Sequence, residues 1–374
     1  MSPETRDFVI VGGGIIGMSL AHNLLQQGGE VCVVDASASI PPATNAAAGM
    51  LAPSFECGSG FLNQRLVELS YEGLGAWREF ASTIMGQSNC DIDFRLDGVL
   101  GVALTEQDAQ ELAVRHAQDT HRVGDTQLLS HEDAAALEPG LSQNVTGAIL
   151  VPDEGQVDPV KTLEALKIAC RKLGAVTIND TKAIGLDIEN DRVAGVRCSN
   201  GNAIATRNLI IASGAQMSLG AEHSIPIVPV KGEAVSLIDR DRVIRHTIRA
   251  NDFYLCPKSD GRLIIGASEV PGETSLTVAD AAITDLKERA QSAVPAISGF
   301  VEKARWAGIR PGTPDGAPIL GKPSNGPFGL NFAVGHYRNG ILLAPITARI
   351  LTEHLLFEKQ SEYLDAFSIN RFQA

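Results

Sequence analysis

Four glycines stand close together near the start of the chain, where a hydrophobic run leads into the segment VIVGGGIIGM (residues 9–18). Glycine loses more backbone freedom on folding than any other residue, so such a cluster needs a geometric reason. Either a tight turn needs the φ/ψ range of glycine, or the backbone has to come very close to something bulky. In both cases the backbone directly after the hydrophobic run has to be free of side chains.

The residues on either side of these glycines predict one βαβ unit. The segment DFVIV has the pattern of a short buried strand, and EVCVVD has the pattern of a second one. Between them, IIGMSLAHNLLQQGG predicts a helix with Ile16, Leu20, Leu24 and Leu25 on one face. Strand, glycine turn, helix and strand therefore follow one another within the length of a dinucleotide-binding unit.

Three of the four glycines then have a role. Gly12 permits the tight turn, and Gly14 lets the helix N-terminus approach a pyrophosphate, whose charge the free N–H groups and the helix dipole favour. Gly17 lets helix and sheet pack closely, and Asp35 follows at about the 20-residue spacing of an acid that binds a ribose hydroxyl. The unit predicts a dinucleotide site, and by itself it suits NAD and FAD equally.

The charge balance argues against nucleic acid as a general partner. The 374 residues include 31 Lys and Arg against 44 Asp and Glu, a net charge of −13, whereas phosphate binding needs clustered positive charge. The 6 cysteines form no CxxC pair and the 8 histidines show no metal-ligand spacing, so we expect reduced thiols and no metal. Without a signal-peptide pattern or a run of about 18 uncharged apolar residues, we expect a cytoplasmic protein that does not insert into a membrane.

Alternating helical and strand patterns predict two interleaved regions. Helices are expected at 60–85, 106–122 and 157–175, the last with Asp158 as N-cap and Pro159 in its first turn. A hairpin with Asn200–Gly201 at its turn is expected at 192–206, a buried strand at 208–215, and further strands at 231–238 and 252–268. The predicted fold is mixed α/β: a Rossmann-like dinucleotide-binding domain (1–90, 155–225 and 306–374) interleaved with an antiparallel-sheet substrate domain (91–154 and 226–305).

Three further segments have the composition of ligand contacts. Residues 41–58 are small and aperiodic, which predicts a loop that lies against a ligand. RWAGIRPGTPDGAPILG (305–321) holds Arg305 and Arg310 among glycines and prolines. NFAVGHYRNGILLAP (331–345) predicts a strand, a polar turn and a helix that begins near Gly340. The arginines are candidates for binding an anionic ligand.

Taken together, these motifs resemble those of the D-amino acid oxidase family of FAD-dependent flavoproteins, in its glycine oxidase branch. The resemblance runs almost end to end and is carried by VIVGGGIIG, AAAGMLA, VPVKGE, WAGIRPGTPDG and GHYRNGILLAP. The first is common to many flavoproteins, the last two are specific to this family, and AAAGML followed by EC is typical of the glycine oxidase branch.

The resemblance implies FAD as the cofactor, bound noncovalently because GHYRNG lacks the cysteine that links flavin in some sarcosine oxidases. It implies that Arg310 binds the substrate carboxylate, with Arg338 and Tyr254 nearby, and that Ala183 meets the adenine through its backbone. The other implied flavin contacts are Ile15, Ile16, Asp35, Ala36, Thr44, Ala48, Gly49, Met50, His336, Tyr337, Arg338, Asn339, Gly340, Ile341 and Leu342.

The implied reaction is oxidative deamination of glycine, sarcosine and small D-amino acids to the 2-oxo acid, ammonia or an amine, and hydrogen peroxide, with oxygen as acceptor and thiamine biosynthesis as its pathway. A homo-oligomer is possible. Two alternatives stay open: a dehydrogenase that uses another electron acceptor, and a flavin-binding subunit without activity. Related enzymes carry histidine two residues before the tyrosine, where this chain has Asp252, so the substrate preference is open as well.

Overall fold

The computed structural model describes residues 5–36, 43–55, 61–119, 126–216 and 225–372. In these ranges the strands are β1 Thr5–Val11, β2 Val31–Val34, β3 Met50–Leu51, β4 Val99–Ala103, β5 Gln127–Leu129, β6 Gly147–Val151, β7 Gly155–Gln156, β8 Val176–Ile178, β9 Ala183–Glu189, β10 Arg192–Cys198, β11 Ala203–Ile211, β12 Val228–Ile238, β13 Thr247–Arg249, β14 Tyr254–Pro257, β15 Arg262–Gly266, β16 Val270–Pro271, β17 Val301–Gly312, β18 Ile319–Gly321 and β19 Leu330–Val334. The α-helices are α1 Ile15–Gln26, α2 Ala43–Ala46, α3 Phe61–Ser88, α4 Glu106–Asp119, α5 His131–Leu137, α6 Pro159–Lys172, α7 Asp280–Ala293, α8 Gly340–Phe357 and α9 Glu362–Ala366. Short 3₁₀ turns lie at Pro53–Phe55, Pro295–Gly299 and Ile369–Phe372.

The first sheet is built around β1, which is parallel to β2 on one side and to β11 on the other. Its strand order is β18-β19-β11-β1-β2-β8, and the antiparallel pair β9–β10 extends from β11. Successive residues of β1 point to opposite faces. Ile10 packs on the side of α1, α3, α6 and α8, while Val9 packs on the side of the β9–β10 hairpin. Both faces are therefore covered, as a parallel sheet requires.

Helix α8 is central to the helical layer. Among the described residues it is the one helix long and apolar enough to cross a membrane. Most of this apolar stretch is buried inside the protein, where α8 contacts α1 and α3. It is therefore a core helix of the first domain.

The second sheet is mainly antiparallel, with the order β16-β12-β15-β14-β13-β4-β6-β5 and with β17 also paired to β12. Only the β4–β13 pair is parallel among its described pairings. One face packs against α5, α7 and the 3₁₀ turn Pro295–Gly299. The other face, which carries Tyr254, turns toward Ala48 and Met50 of the first domain.

The predicted fold class is confirmed: a parallel-mixed sheet with helices stands beside a mainly antiparallel sheet. Helix α6 begins as expected, since Asp158 Oδ1 accepts hydrogen bonds from Val160 N and Lys161 N at 3.0 and 3.1 Å. The 192–206 hairpin forms, with Gly201 at φ +85° in its turn. The expected helix at 106–122 is α4 as far as Asp119, and its last residues lie outside the described ranges.

Two expectations need correction or remain open. The segment 41–58 is not a plain loop, because its described part contains α2, β3 and a 3₁₀ turn. Small residues pack well enough there to form short elements, while Glu56 and Cys57 lie outside the described residues. The domain boundaries stay a proposal, and β17 runs across the one placed at residue 306.

The contact between α1 and β1 gives a stability prediction. A Cβ at Gly17 would overlap the carbonyl oxygen of Gly12, so Gly17→Ala forces helix and strand apart. We expect the free energy of unfolding to fall by roughly 1–3 kcal/mol, the usual cost of overpacking. The matched control is Gly86→Ala in α3, which has open space around it and should gain about 0.5–1 kcal/mol from the better helix former. Urea denaturation of both variants measures this, and equal stabilities would contradict it.

Candidate cofactor and substrate site

A first cavity of about 160 Å³ lies at the carboxyl ends of β1, β2 and β11. In open α/β sheets, ligands bind at this edge. It is lined by residues of six segments, namely 11–16, 34–36, 181–183, 212–216, 333–338 and 340–341, together with residues of α2 and β17 and Ala47.

Three glycines of the opening motif are required by the protein itself. Gly12 has φ +116°, and a Cβ there would overlap the carbonyl oxygen of Ala212. A Cβ at Gly13 would lie 2.7 Å from Cγ of Asp35, so Gly13 makes room for that carboxylate. Gly17 lines neither cavity and serves the α1–β1 contact, as predicted. Sequence reasoning gave Gly13 no role, because its neighbour Asp35 comes from another strand.

Gly14, by contrast, opens into the cavity. A Cβ there would meet only Oγ1 of Thr44, at 3.5 Å. Gly14 is the N-cap of α1 without a capping side chain, and Ile15 N donates to Thr44 Oγ1 at 3.1 Å. The remaining N–H groups and the helix dipole favour an anion at this point. The glycine cradle, with Asp35 beside it, therefore fits the pyrophosphate and ribose of a dinucleotide.

The turn before α8 closes the far end of this cavity. His336 is buried, its Nε2 lies 3.1 Å from Thr347 Oγ1, and burial lowers the pKa of His336 to about 3, so the imidazole is neutral. Tyr337 has φ +48°, and its hydroxyl donates to a carboxylate oxygen of Glu269. Burial, and then Glu269, raises the pKa of Tyr337 to about 12. Arg338 lies 3.8 Å from the same carboxylate, so Glu269 holds this turn against the second sheet.

A second cavity, of about 530 Å³, adjoins the first and lies between the α2–β3 segment and the second sheet. Its floor is a patch of small residues on neighbouring strands, where Gly232 of β12 pairs with Gly308 of β17. The Arg310 guanidinium lies over Gly232, since a Cβ there would come within 2.5 Å of Cζ. Arg310 Nη1 donates to the carbonyl oxygen of Ser268 at 3.2 Å. No carboxylate of the described residues forms an ion pair with Arg310, so its charge is available to an anion.

Tyr254 lies on the same face of the sheet. It pairs across the sheet with Gly266, which has no side chain to displace the phenol ring: a Cβ there would overlap the Tyr254 hydroxyl. Burial raises the pKa of Tyr254, and the nearby Arg310 opposes this more weakly. The phenol is therefore a neutral hydrogen-bonding group beside Arg310.

Asp252 lies at the edge of the second cavity, where Arg289 pairs with it at 3.2 Å. Sequence reasoning raised the possibility that Asp252 alters the charge of the site, and Arg289 offsets that charge. It missed the other polar groups of this cavity, Arg249, Asn251, Ser268, Glu269 and Arg289. Arg249 stands opposite Tyr254 across the β13–β14 pair, a register that the structure alone shows.

The structure places the remaining predicted residues around the same two cavities. The first is lined by Gly12, Gly14, Ile15, Ile16, Asp35, Ala36, Thr44, Ala183, His336 and Gly340. The second is lined by Ala48, Gly49, Met50, Tyr254, Arg310, Asn339 and Leu342. Both are lined by Tyr337, Arg338 and Ile341. Among the described residues, no group of three His, Cys, Asp or Glu side chains could hold a metal ion.

Fold and site together define a dinucleotide-binding protein with an adjoining cavity in which arginines outnumber acids. The family described as FAD dependent oxidoreductase matches residues 7–354. The chain is 34% identical over 372 residues to a glycine oxidase of Geobacillus kaustophilus, covering 98% of this chain and 97% of that protein. It is 30% identical over 377 residues to the Bifunctional protein ThiO/ThiG of Trichormus variabilis, covering 99% of this chain and 55% of that protein.

Its fold is similar to the crystal structure of glycine oxidase from Geobacillus kaustophilus, with a TM-score of 0.92 and 32% identity over 98% of this chain and 99% of that one. The chain belongs to the family of FAD-dependent oxidoreductases known as the D-amino acid oxidase family. Its cofactor is FAD, for which the glycine cradle and Asp35 fit the dinucleotide part.

The buried imidazole of His336 gives a pH prediction. Its pKa in the folded protein, about 3, lies below the ordinary value of 6.5. Below pH 6.5 the unfolded chain takes up a proton that the folded protein does not, so this group lowers stability as the pH falls. Between pH 6.5 and 5 the loss is roughly 2 kcal/mol. We expect His336→Gln, which stays neutral, to remove this part of the acid destabilisation. Urea denaturation at several pH values tests it, and parallel curves for the two proteins would contradict it.

Proposed function

We propose that this protein catalyses the FAD-dependent oxidative deamination of glycine and other small amines, such as sarcosine and small D-amino acids, by oxygen. The products are the 2-oxo acid, ammonia or an amine, and hydrogen peroxide. The observation that carries this proposal is the Arg310 guanidinium, which lies over Gly232 in a cavity that adjoins the dinucleotide cradle. In the part of the chain that the structure describes, no carboxylate pairs with it. The similarity to glycine oxidases over nearly the whole chain supports it.

Arg310 binds the substrate carboxylate in this proposal. A guanidinium can donate two parallel hydrogen bonds to a carboxylate, which fixes the orientation of the substrate as well as its position. The cavity favours an anion overall, because four arginines line it, Arg249, Arg289, Arg310 and Arg338, against the acids Asp252 and Glu269. Arg289 and Arg338 are engaged with those acids. Arg310 is assigned as the carboxylate clamp because its guanidinium lies over Gly232, on the same face as Tyr254.

FAD, when bound, supplies the acceptor for the two electrons and the hydrogen removed from the substrate amine carbon. The chain's own residues orient that carbon, hold the amine and exclude water. Tyr254, neutral and beside Arg310, is placed to hydrogen-bond the carboxylate, and Arg338 belongs to the flavin turn. Binding is noncovalent in this proposal, which is supported by the lack of any cysteine lining the described parts of either cavity.

Substrate size is set by the α2–β3 segment. Ala46, Ala48 and Met50 line the second cavity on the side opposite the sheet. With the carboxylate fixed at Arg310 and the amine carbon turned toward the flavin, one direction remains for a side chain. In an L-amino acid held by the same clamp, the side chain would take the place of the hydrogen that has to be removed.

The clamp gives the third prediction. Arg310→Leu leaves the carboxylate without its charged partner, and losing one partner of a buried pair costs roughly 3–5 kcal/mol, or about 10² to 10³·⁵ in kcat/KM for glycine. FAD content should not change. The matched control is Arg305→Leu on the same strand, where an exposed arginine pairs with Glu302 and Asp280 on the protein surface, so glycine turnover should not change.

Gly232→Ala tests the same clamp without removing its charge. The new Cβ displaces the flexible guanidinium rather than the backbone, so we expect a higher KM for glycine in a folded, FAD-containing enzyme. Gly147→Ala, whose Cβ would meet only an ordinary contact at 3.5 Å, is its control. Full glycine turnover in both Arg310→Leu and Gly232→Ala would exclude the clamp.

A substrate panel tests the function itself. Oxygen consumption and peroxide formation should be highest with glycine and sarcosine, lower but measurable with D-alanine, and near zero with L-amino acids. A methyl group in a pocket changes the free energy of the transition state by about 1–3 kcal/mol, so the kcat/KM for D-alanine should be lower but still measurable. Turnover of glycine with a dye acceptor but not with oxygen would identify a dehydrogenase. No turnover with any acceptor would favour a flavin-binding subunit.

A further inference from the structure

One buried cation has no part in the clamp or the cofactor cradle. Lys258 follows β14 and is only 4% exposed. Its Nζ donates to the carbonyl oxygen of Ala48 at 2.7 Å, to Oε1 of Gln156 at 2.8 Å and to the carbonyl oxygen of Val157 at 2.9 Å. An ammonium group has three donors and no acceptor. These three oxygens therefore use its full capacity.

The three acceptors belong to segments that are far apart in sequence. Ala48 precedes β3 of the first domain, whereas Gln156 and Val157 lie in and after β7. Lys258 itself extends the strand of the second sheet that carries Tyr254, and the two residues point to the same side because side chains alternate along a strand. The ammonium group therefore joins the substrate-side strand to the segment 48–50, which lines the second cavity.

The Cys256 side chain takes part in the same cluster. Its Sγ donates to Gln156 Oε1 at 2.9 Å and lies 3.4 Å from Lys258 Nζ. No carboxylate of the described residues pairs directly with Lys258, and the nearby Asp158 is bonded to Arg262 at 2.6 Å. A buried charge is tolerated only when its hydrogen bonds are satisfied, so the position of each carbonyl around Nζ is closely specified.

The backbone on the other side leaves the segment 48–50 little freedom. Gly49 has φ +89°, and a Cβ there would overlap the carbonyl oxygen of Val157. Val157 N donates to Gly49 O at 2.9 Å, and Met50 pairs with Gln156 in the two-stranded β3–β7 sheet. These contacts fix the segment to β7. From the second sheet, Lys258 Nζ and Cys256 Sγ both donate to the Ala48 carbonyl oxygen, at 2.7 and 3.5 Å, and Trp306 Nε1 donates to Ala46 O at 3.1 Å. Lys258 supplies the charged and the shortest of these bonds to the segment.

We propose that Lys258 is a positioning residue, which sets the distance between the segment 48–50 and the Tyr254 strand and thereby the placement of flavin and substrate in the second cavity. It touches neither molecule and acts through the Ala48 carbonyl. The inference rests on the proposed function only in taking this segment as the flavin contact. Its main readouts need no substrate.

The test is the variant Lys258→Met. The matched control is Lys172→Met, because Lys172 donates a similar hydrogen bond, to Gln87 O at 2.7 Å, on the protein surface. Hydrogen exchange by mass spectrometry on the holoenzyme should speed up in peptides covering 43–55 and not in β1. The dissociation constant of FAD, measured by reconstituting the apoprotein, should rise roughly tenfold or more, as for the loss of a charge-assisted hydrogen bond. For glycine, kcat should fall by about 10–100-fold because a displacement near 1 Å has that effect, with KM within about threefold since Arg310 is untouched.

Unchanged exchange in 43–55 together with unchanged FAD affinity would overturn the proposal, even if the melting temperature fell. Lys258→Gln covers the case in which the methionine variant does not fold, because its shorter amide keeps a donor and removes the charge. It should show the same local exchange and an intermediate FAD affinity, and wild-type behaviour in both would overturn the proposal. If the variants bind FAD more weakly as expected, but neither they nor the wild-type enzyme oxidises glycine, the proposed function is refuted and the positioning role is retained.

Discussion

The dinucleotide site depends on the close approach of Gly17 to the carbonyl oxygen of Gly12, which only a residue without a side chain permits. This contact allows α1 to begin directly at the end of β1, with no side chain between helix and strand. The helix N-terminus at Gly14 then stays open to the cavity, where its N–H groups are available to a pyrophosphate. Every other element of the first sheet is arranged around this strand and helix, including α8, which packs against α1.

In the second sheet, glycines make room for large side chains rather than for a helix. Gly232, Gly266 and Gly308 leave a shallow floor on which large side chains lie flat: Arg310 over Gly232 and the Tyr254 ring over Gly266. A Cβ at Gly308 would overlap Ala46, so Gly308 lets the α2 segment come close to the sheet. The second cavity is the space that remains beside these contacts.

Charge is distributed unevenly between the surface and this space. The chain as a whole carries a net charge of −13, yet the second cavity is lined by more arginines than acids. Glu269 and Asp252 engage Arg338 and Arg289, Lys258 is satisfied by carbonyl oxygens, and Arg310 keeps its charge for a ligand. Burial holds His336 and Tyr254 neutral. The surplus of arginines over acids therefore favours an anion over a cation in the second cavity.

The sequence by itself determined the βαβ unit, the helix that begins at Asp158 and the two classes of sheet, because strand alternation, helix caps and glycine turns are local in the chain. The family motifs also indicated Arg310, Tyr254 and the turn at His336. Only the tertiary structure decided that Gly13 makes room for Asp35, that Gly232 makes room for Arg310, and that Arg289 offsets Asp252. It alone joined Lys258 to Ala48 across more than half the chain. Those contacts pair residues that no local pattern connects. Strand pairing and helix packing within each domain bring the first three pairs together, and packing between the two domains brings Lys258 to Ala48.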